Sequence, residues 1–235
     1  MALPKLNSTP QYSCVIPSTK ETIKYRPYLV KEEKILMIAF ETGDQKAALN
    51  AIINTLQACI EGEVGVADLT TFDVEYLFTQ VRSRSVGENA KILVPCGSCG
   101  HKNEIDIELS NIEIVYPENF TPRIDITDQV AVEMKYPSYS DVLTMNFEGD
   151  QTEMGMQILA QSIDAILTED ERISTKDVGN KEVMDFIESM TSDQFKKMSD
   201  FLESIPSLKK DIKQPCLDCG ETIERTLQGI SDFLS

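Results

Sequence analysis

Six cysteines and a single histidine are the residues of this chain best suited to chemistry. Four of the cysteines form two pairs of identical spacing, in VPCGSCGHKNEI (94–105) and QPCLDCGETIER (214–225). Pro95, Cys96, Cys99 and Gly100 match Pro215, Cys216, Cys219 and Gly220 position for position. Zinc takes four thiolates in tetrahedral geometry, and one tight C-x-x-C bend supplies two of them. In such a bend the backbone doubles back so that N–H groups point at the sulfurs, and glycine after the second cysteine admits a positive φ. The pattern points to one structural zinc per chain, held by Cys96, Cys99, Cys216 and Cys219. The spacing is the unusual part. Ordinary ribbons separate their two turns by about 15–20 residues, whereas Cys99 and Cys216 are 117 positions apart. A long insertion between the halves of a ribbon accounts for that, with the metal fastening the end of the chain to its middle.

Redox chemistry is a second reading. It calls for a thiol of lowered pKa at a helix N-terminus in a βαβ setting, and the charged, alternating stretch after Cys99 reads as a strand instead. Incidental reduced thiols, or sites completed by a second chain, are the remaining alternatives, so whether both turns share one zinc stays open. His101 adjoins the first turn, but with four thiolates present it reads as a surface residue. Four thiolates leave no open coordination position, and no second histidine is there to move protons, so a bound zinc would be structural rather than hydrolytic. Cys14 and Cys59 lie in apolar patterns and read as ordinary buried thiols.

Other chemistry finds little support. No phosphate-binding glycine loop, dinucleotide fingerprint, H-E-x-x-H or G-x-S-x-G elbow occurs. DQTE and TEDERIS lack the ligand spacing and glycine of a calcium loop and read as solvated acidic turns. Lys24, Arg26, Lys31 and Lys34 interleave with Tyr25 and Tyr28, a mixture able to stack on single-stranded nucleic acid. Glu32 and Glu33 interrupt it, and the tyrosines are better placed to pack a hairpin on a helix. The net charge of −17 also opposes binding to phosphate backbones. No apolar run approaches the roughly twenty residues of a membrane span, and MALPKLNSTPQYS has no basic stretch followed by an apolar one. A reducing cytosol is therefore the expected compartment.

These cysteines need elements to position them. Gln11–Pro17 and Glu21–Tyr25 flank PSTK as a hairpin. Helices follow around Ile35–Ala39, from Ala48 to Ile60, and from Val74 to Val81 with Thr70 or Thr71 as cap. KILVPC enters the first cysteine turn as a strand, and NEIDIEL leaves it with Ile105, Ile107 and Leu109 opposite Glu104, Asp106 and Glu108, a sheet with one wet face. IEIVYP, RIDIT and AVEMKYP read as further strands. YSDVLTM, Met156–Leu167, Lys181–Met190 and Asp193–Ile205 show helical spacing. The stretch 148–210 carries 14 acidic against 7 basic side chains, so these are helices with acidic outer faces. TIERTLQGISDFL closes the chain as a short strand or helix. The expected class is α+β: 1–89, a hairpin plus helices; 90–137, a small β-rich, zinc-ribbon-like middle with a long insertion; 138–210, an acidic helical part; 211–235, the second cysteine turn and a C-terminal helix.

ALPKLN (2–7) and TIKYRPYLVKEEKILMIAFETGDQK (22–46) resemble the baseplate hub subunit and hub-assembly proteins of T-even-type tailed bacteriophages, and the C-x-x-C turns are similar to those of that group's longer members. The resemblance is strongest over roughly the first sixty residues. It implies a non-enzymatic protein of virion morphogenesis, a component or assembly factor of the central baseplate hub. Its implied partners are other hub or tape-measure proteins, met in the host cytoplasm during assembly or retained with it in the virion. A zinc-ribbon nucleic-acid or transcription-associated binding module is the alternative. Glu104, Asp106 and Glu108 at the first turn, with Asp218, Glu221 and Glu224 at the second, count against it.

Overall fold

Short β-branched and aromatic stretches around the PSTK turn pair as strands β1 (Tyr12–Val15) and β2 (Thr22–Tyr25), antiparallel with Tyr12 opposite Tyr25. The structure is a computed structural model that describes residues 9–109, 112–117, 121–147 and 151–229. The ALPKLN segment and the last six residues lie outside that set. Helices α1 (Val30–Glu41), α2 (Gln45–Cys59) and α3 (Thr71–Ser85) follow the first hairpin. Gly43, with φ +68°, makes the bend between α1 and α2 in a conformation that other residues rarely adopt. Buried Glu32 opens α1: it accepts the Leu29 N–H at 2.7 Å and the Arg26 guanidinium at 3.0 Å. Burial raises its pKa, but Arg26, the Leu29 N–H and Lys31 together hold the carboxyl below its ordinary value.

Thr70 caps α3, and Asp73 returns the bond in a capping box. Asp73 is fully buried and also accepts from the Ser18 N–H at 2.9 Å and the Ser18 hydroxyl at 2.6 Å. One carboxylate thus ties the hairpin turn to the start of α3. Asp73→Ala should cost about 2–4 kcal/mol, from the lost cap and the donors left unsatisfied. Urea denaturation measures this, and a change below about 0.5 kcal/mol would show that the carboxylate does not join the two elements.

Strands β3 (Asn89–Pro95) and β4 (Lys102–Glu108) form the hairpin of the first cysteine turn. Both bury every second residue, as the alternation anticipates. Strand β5 (Glu113–Val115) pairs with β10 (Ser207–Pro215), which pairs in turn with β11 (Thr222–Gln228) across the second cysteine turn. The two sheets share one core, with Ala90, Ile92, Val94, Ile105 and Ile107 from the first hairpin and Leu208, Ile212, Ile223 and Leu227 from the second. Residues 1–115 and 207–235 make up this first compact unit.

Residues 116–206 make the second unit. Its sheet has the order β6 (Arg123–Asp125), β7 (Ala131–Met134), β8 (Ile163–Leu167), β9 (Arg172–Ser174), all antiparallel. Helices α4 (Tyr139–Leu143), α5 (Gln151–Gln161), α6 (Asn180–Glu188) and α7 (Ser192–Glu203) complete it. Val132, Leu159, Ile163, Ile187, Met198 and Phe201 lie in its core. The boundaries read from composition differ from these units: 89/90 falls inside the first and 137/138 inside the second.

Three elements depart from the expected pattern. Met156–Leu167 is not one helix. Ser162 ends α5, its hydroxyl bonding the Ile158 carbonyl at 2.8 Å, and Ile163–Leu167 becomes the inner strand β8. A short apolar run fits both periodicities, and pairing on both edges decides for the strand. Residues 207–210, assigned to the acidic helical part, begin β10. Thr222–Gln228 is a strand rather than a C-terminal helix, because Thr222 to Gln228 pair residue for residue with β10; the rest of that expectation falls on residues outside the described set.

Candidate metal centre

Each cysteine turn is closed by the same two backbone bonds. The Cys96 N–H donates to the His101 carbonyl at 2.8 Å and the Gly100 N–H to the Cys96 carbonyl at 2.9 Å. The Cys216 N–H donates to the Glu221 carbonyl at 2.7 Å and the Gly220 N–H to the Cys216 carbonyl at 3.0 Å. Gly100 and Gly220 have φ of +73° and +74°, the left-handed backbone that lets the chain fold back after the second cysteine. Pro95 and Pro215 end strands β3 and β10 at equivalent register positions, opposite Lys102 and Thr222. Because β4 and β11 start at once, neither turn delivers its cysteines to a helix N-terminus.

The shared core brings the two turns together. Cys96 and Cys216 are buried at its end, Cys99 and Cys219 are exposed, and the four ligand atoms lie within 4.8 Å of one another. The Sγ atoms of Cys96 and Cys219 are 3.7 Å apart, and those of Cys99 and Cys216 are 3.6 Å apart. Those separations are far beyond a disulfide bond of about 2.05 Å. A tetrahedron with metal–sulfur bonds of about 2.3 Å has sulfurs about 3.8 Å apart. The arrangement can therefore hold a metal ion, and the donor set and separations fit zinc.

Electrostatics agree with that fit. The Cys219 backbone N–H does most to bring the Cys216 thiol down to about 6, burial opposes it, and the Asp218 N–H, Asn103 and Cys99 add to the lowering. Cys99 is pushed up to about 12: the His101 backbone N–H lowers it, but desolvation and the sulfurs of Cys219, Cys216 and Cys96 outweigh that bond. Cys219 is raised as well; the Glu221 N–H and Cys99 lower it, while desolvation and the sulfurs of Cys96 and Cys216 prevail. One thiolate is thus well accommodated and the next is resisted, until a cation replaces the protons.

Asn103 is the functional position missed by reading for ligands. It is fully buried on the face of β4 that otherwise carries Ile105 and Ile107. Its Nδ2 donates to the His101 carbonyl at 3.0 Å and reaches Cys216 Sγ at 3.5 Å, while its Oδ1 accepts the Leu217 N–H at 2.9 Å. A side chain of the first hairpin thereby grips the second turn. The signal was available, since an amide among inward-facing isoleucines asks for buried partners. The second hairpin has apolar Ile223 at the matching position, opposite Gln214 as Asn103 is opposite Val94. Asn103→Ala should lower stability by about 1–3 kcal/mol by stranding the Leu217 N–H, read by thermal unfolding. An unchanged melt would show that water replaces the amide without loss.

His101 is exposed, as expected of a surface residue. Cys59 is buried and Cys14 half-buried, far along the chain in the hairpin–helix part, and burial raises both thiols to about 11. Among the described residues, no helix is long and apolar enough to cross a membrane. No curated protein and no solved structure matches the chain. The family model described as T4 bacteriophage base plate protein matches residues 9–235, spanning the hairpin and helices, both cysteine turns and the unit between them. With a match running almost from end to end, the chain belongs to the T4 bacteriophage base plate protein family.

Proposed function

We propose that this chain is a non-enzymatic structural or assembly protein of the central hub of the phage tail baseplate, braced by one zinc on Cys96, Cys99, Cys216 and Cys219. The observation that carries the reading is the meeting of four thiols from two matched turns, in a chain of the base plate family. The paired hairpins form a zinc-ribbon-like body whose halves are separated by residues 116–206. The zinc fixes the relation between those hairpins and does no chemistry, since four thiolates fill its coordination sphere. Function lies in the surface, through contacts with other hub or tape-measure proteins. The exposed acidic side chains of α6 and α7, among them Asp185, Glu188, Asp193, Asp200 and Glu203, suit a basic partner. Glu104, Asp106, Glu108, Asp218, Glu221 and Glu224 are all exposed beside the turns, which disfavours nucleic acid there.

Metal analysis of the purified chain tests the zinc and should give one per chain; two, or none, would sink the single site. Co-purification from infected cells tests the hub role, the expected result being hub proteins in the eluate. Their consistent absence, with other baseplate proteins recovered, would move the protein elsewhere in the baseplate.

A further inference from the structure

We propose that α1 is the contact through which two copies of this chain associate, antiparallel about a two-fold axis passing between Met37 and Ile38. Glu32, Leu36 and Ala39 form the buried side of this helix. The opposite side carries large apolar residues around the charged Lys34 and Glu41: Val30 is 79% exposed, Met37 56% and Ile38 53%, with Ile35 at 54% and Phe40 on its flanks. Single surface hydrophobics are ordinary, but a contiguous set on one helix marks a contact surface. Positions 30, 34, 37, 38 and 41 follow one stripe along a helix.

Charge selects both the occupant and its direction. Lys34 and Glu41 flank the Met37–Ile38 pair, and neither has an ion-pair partner among the described residues. Antiparallel two-fold packing brings Met37 and Ile38 together with their copies across the axis and sets Lys34 of each chain against Glu41 of the other. The apolar centre of the contact is then closed by two basic–acidic pairs. Parallel packing would instead face Lys34 with Lys34 and Glu41 with Glu41. The segment 20–46 is also nearly neutral, with six basic and five acidic side chains, in a chain of net charge −17. Like-charge repulsion between copies is therefore weakest here, whereas a basic partner would be steered to the acidic surfaces. A twelve-residue helix is only about 18 Å long, so this contact is smaller than a permanent interface and suits a reversible dimer with a dissociation constant in the micromolar range.

Sedimentation equilibrium of the full, zinc-loaded chain from about 1 to 200 µM is the test. The expected result is a monomer–dimer equilibrium. Ile38→Asp should raise the dissociation constant tenfold or more, and circular dichroism and melting should not change because the site is half-exposed. Lys34→Glu and Glu41→Lys should each weaken the dimer. Mixing those two variants in equal amounts should restore affinity to within about threefold, because both opposed pairs then become complementary. A monomer at all concentrations overturns the proposal. So does a dimer indifferent to these changes, or a mixture no tighter than its parents. Loss of binding to other baseplate proteins without any loss of dimer would give the helix to a different partner and overturn it equally.

Discussion

Cys96→Ser and Cys216→Ser should each weaken metal binding by orders of magnitude, and each should destabilise the first unit by the same amount. A structural zinc contributes about 10–16 kcal/mol of apparent binding free energy in small zinc-folded peptides. A three-thiolate remnant keeps part of that, so a net loss of ~3–5 kcal/mol is expected. At about 2–4 °C per kcal/mol for a chain of this size, the thermal transition should fall by about 6–20 °C. The two effects should match because the sulfurs of both turns contribute to one cluster: Cys96 sits 3.7 Å from Cys219, and Cys216 sits 3.6 Å from Cys99. Each turn therefore depends on the other for half of its ligands. Cys59→Ser serves as the control. It places a hydroxyl in a buried site of the helical part and should cost stability, yet leave one zinc per chain. Unequal metal loss between Cys96→Ser and Cys216→Ser would mean two separate sites.

The hairpins and the cluster were readable in the sequence because their signals are local. Alternation over Asn89–Glu108 and the repeated Pro-Cys-x-x-Cys-Gly need no long-range information. Thr70 announces α3 for the same reason, since a cap is a property of three or four residues. Strand β8 was hidden because SIDAIL satisfies helical and strand periods alike, and only its neighbours β7 and β9 settle the matter. Strand β10 was hidden, and TIERTLQ stayed open between strand and helix, for a different reason. Thr222–Gln228 buries only Ile223 and Leu227, so its inner face is set by the hairpin that it packs against. The grip of Asn103 on Leu217 joins residues 114 positions apart. Local reading offered the odd amide, but not its partner.

The largest structural effect is expected from where the chain is cut. Truncation after Pro206 removes β10, β11 and half of the cluster. It leaves Ala90, Ile92, Ile105 and Ile107 without the opposing Leu208, Ile212, Ile223 and Leu227. At about 1.5–3 kcal/mol for each buried Leu or Ile side chain, losing those four partners costs an amount comparable to the whole stability of a typical domain. Such a chain should bind no metal and lose the β-core of the first unit. Removing 116–206 instead deletes more residues but should do less harm. Val115 and Ser207 are register partners on adjacent strands, so their Cα atoms are only about 5 Å apart. A linker of about four residues closes that gap as an ordinary hairpin loop. The shortened chain should still bind one zinc and show the cooperative melt of the first unit, measured by metal analysis and calorimetry. The contrast separates a site built on chain order from one built on space. If the excised chain binds no metal while folding, the second unit is needed to bring the turns together. If the truncated chain keeps its metal, the cysteines after residue 206 are not part of the site.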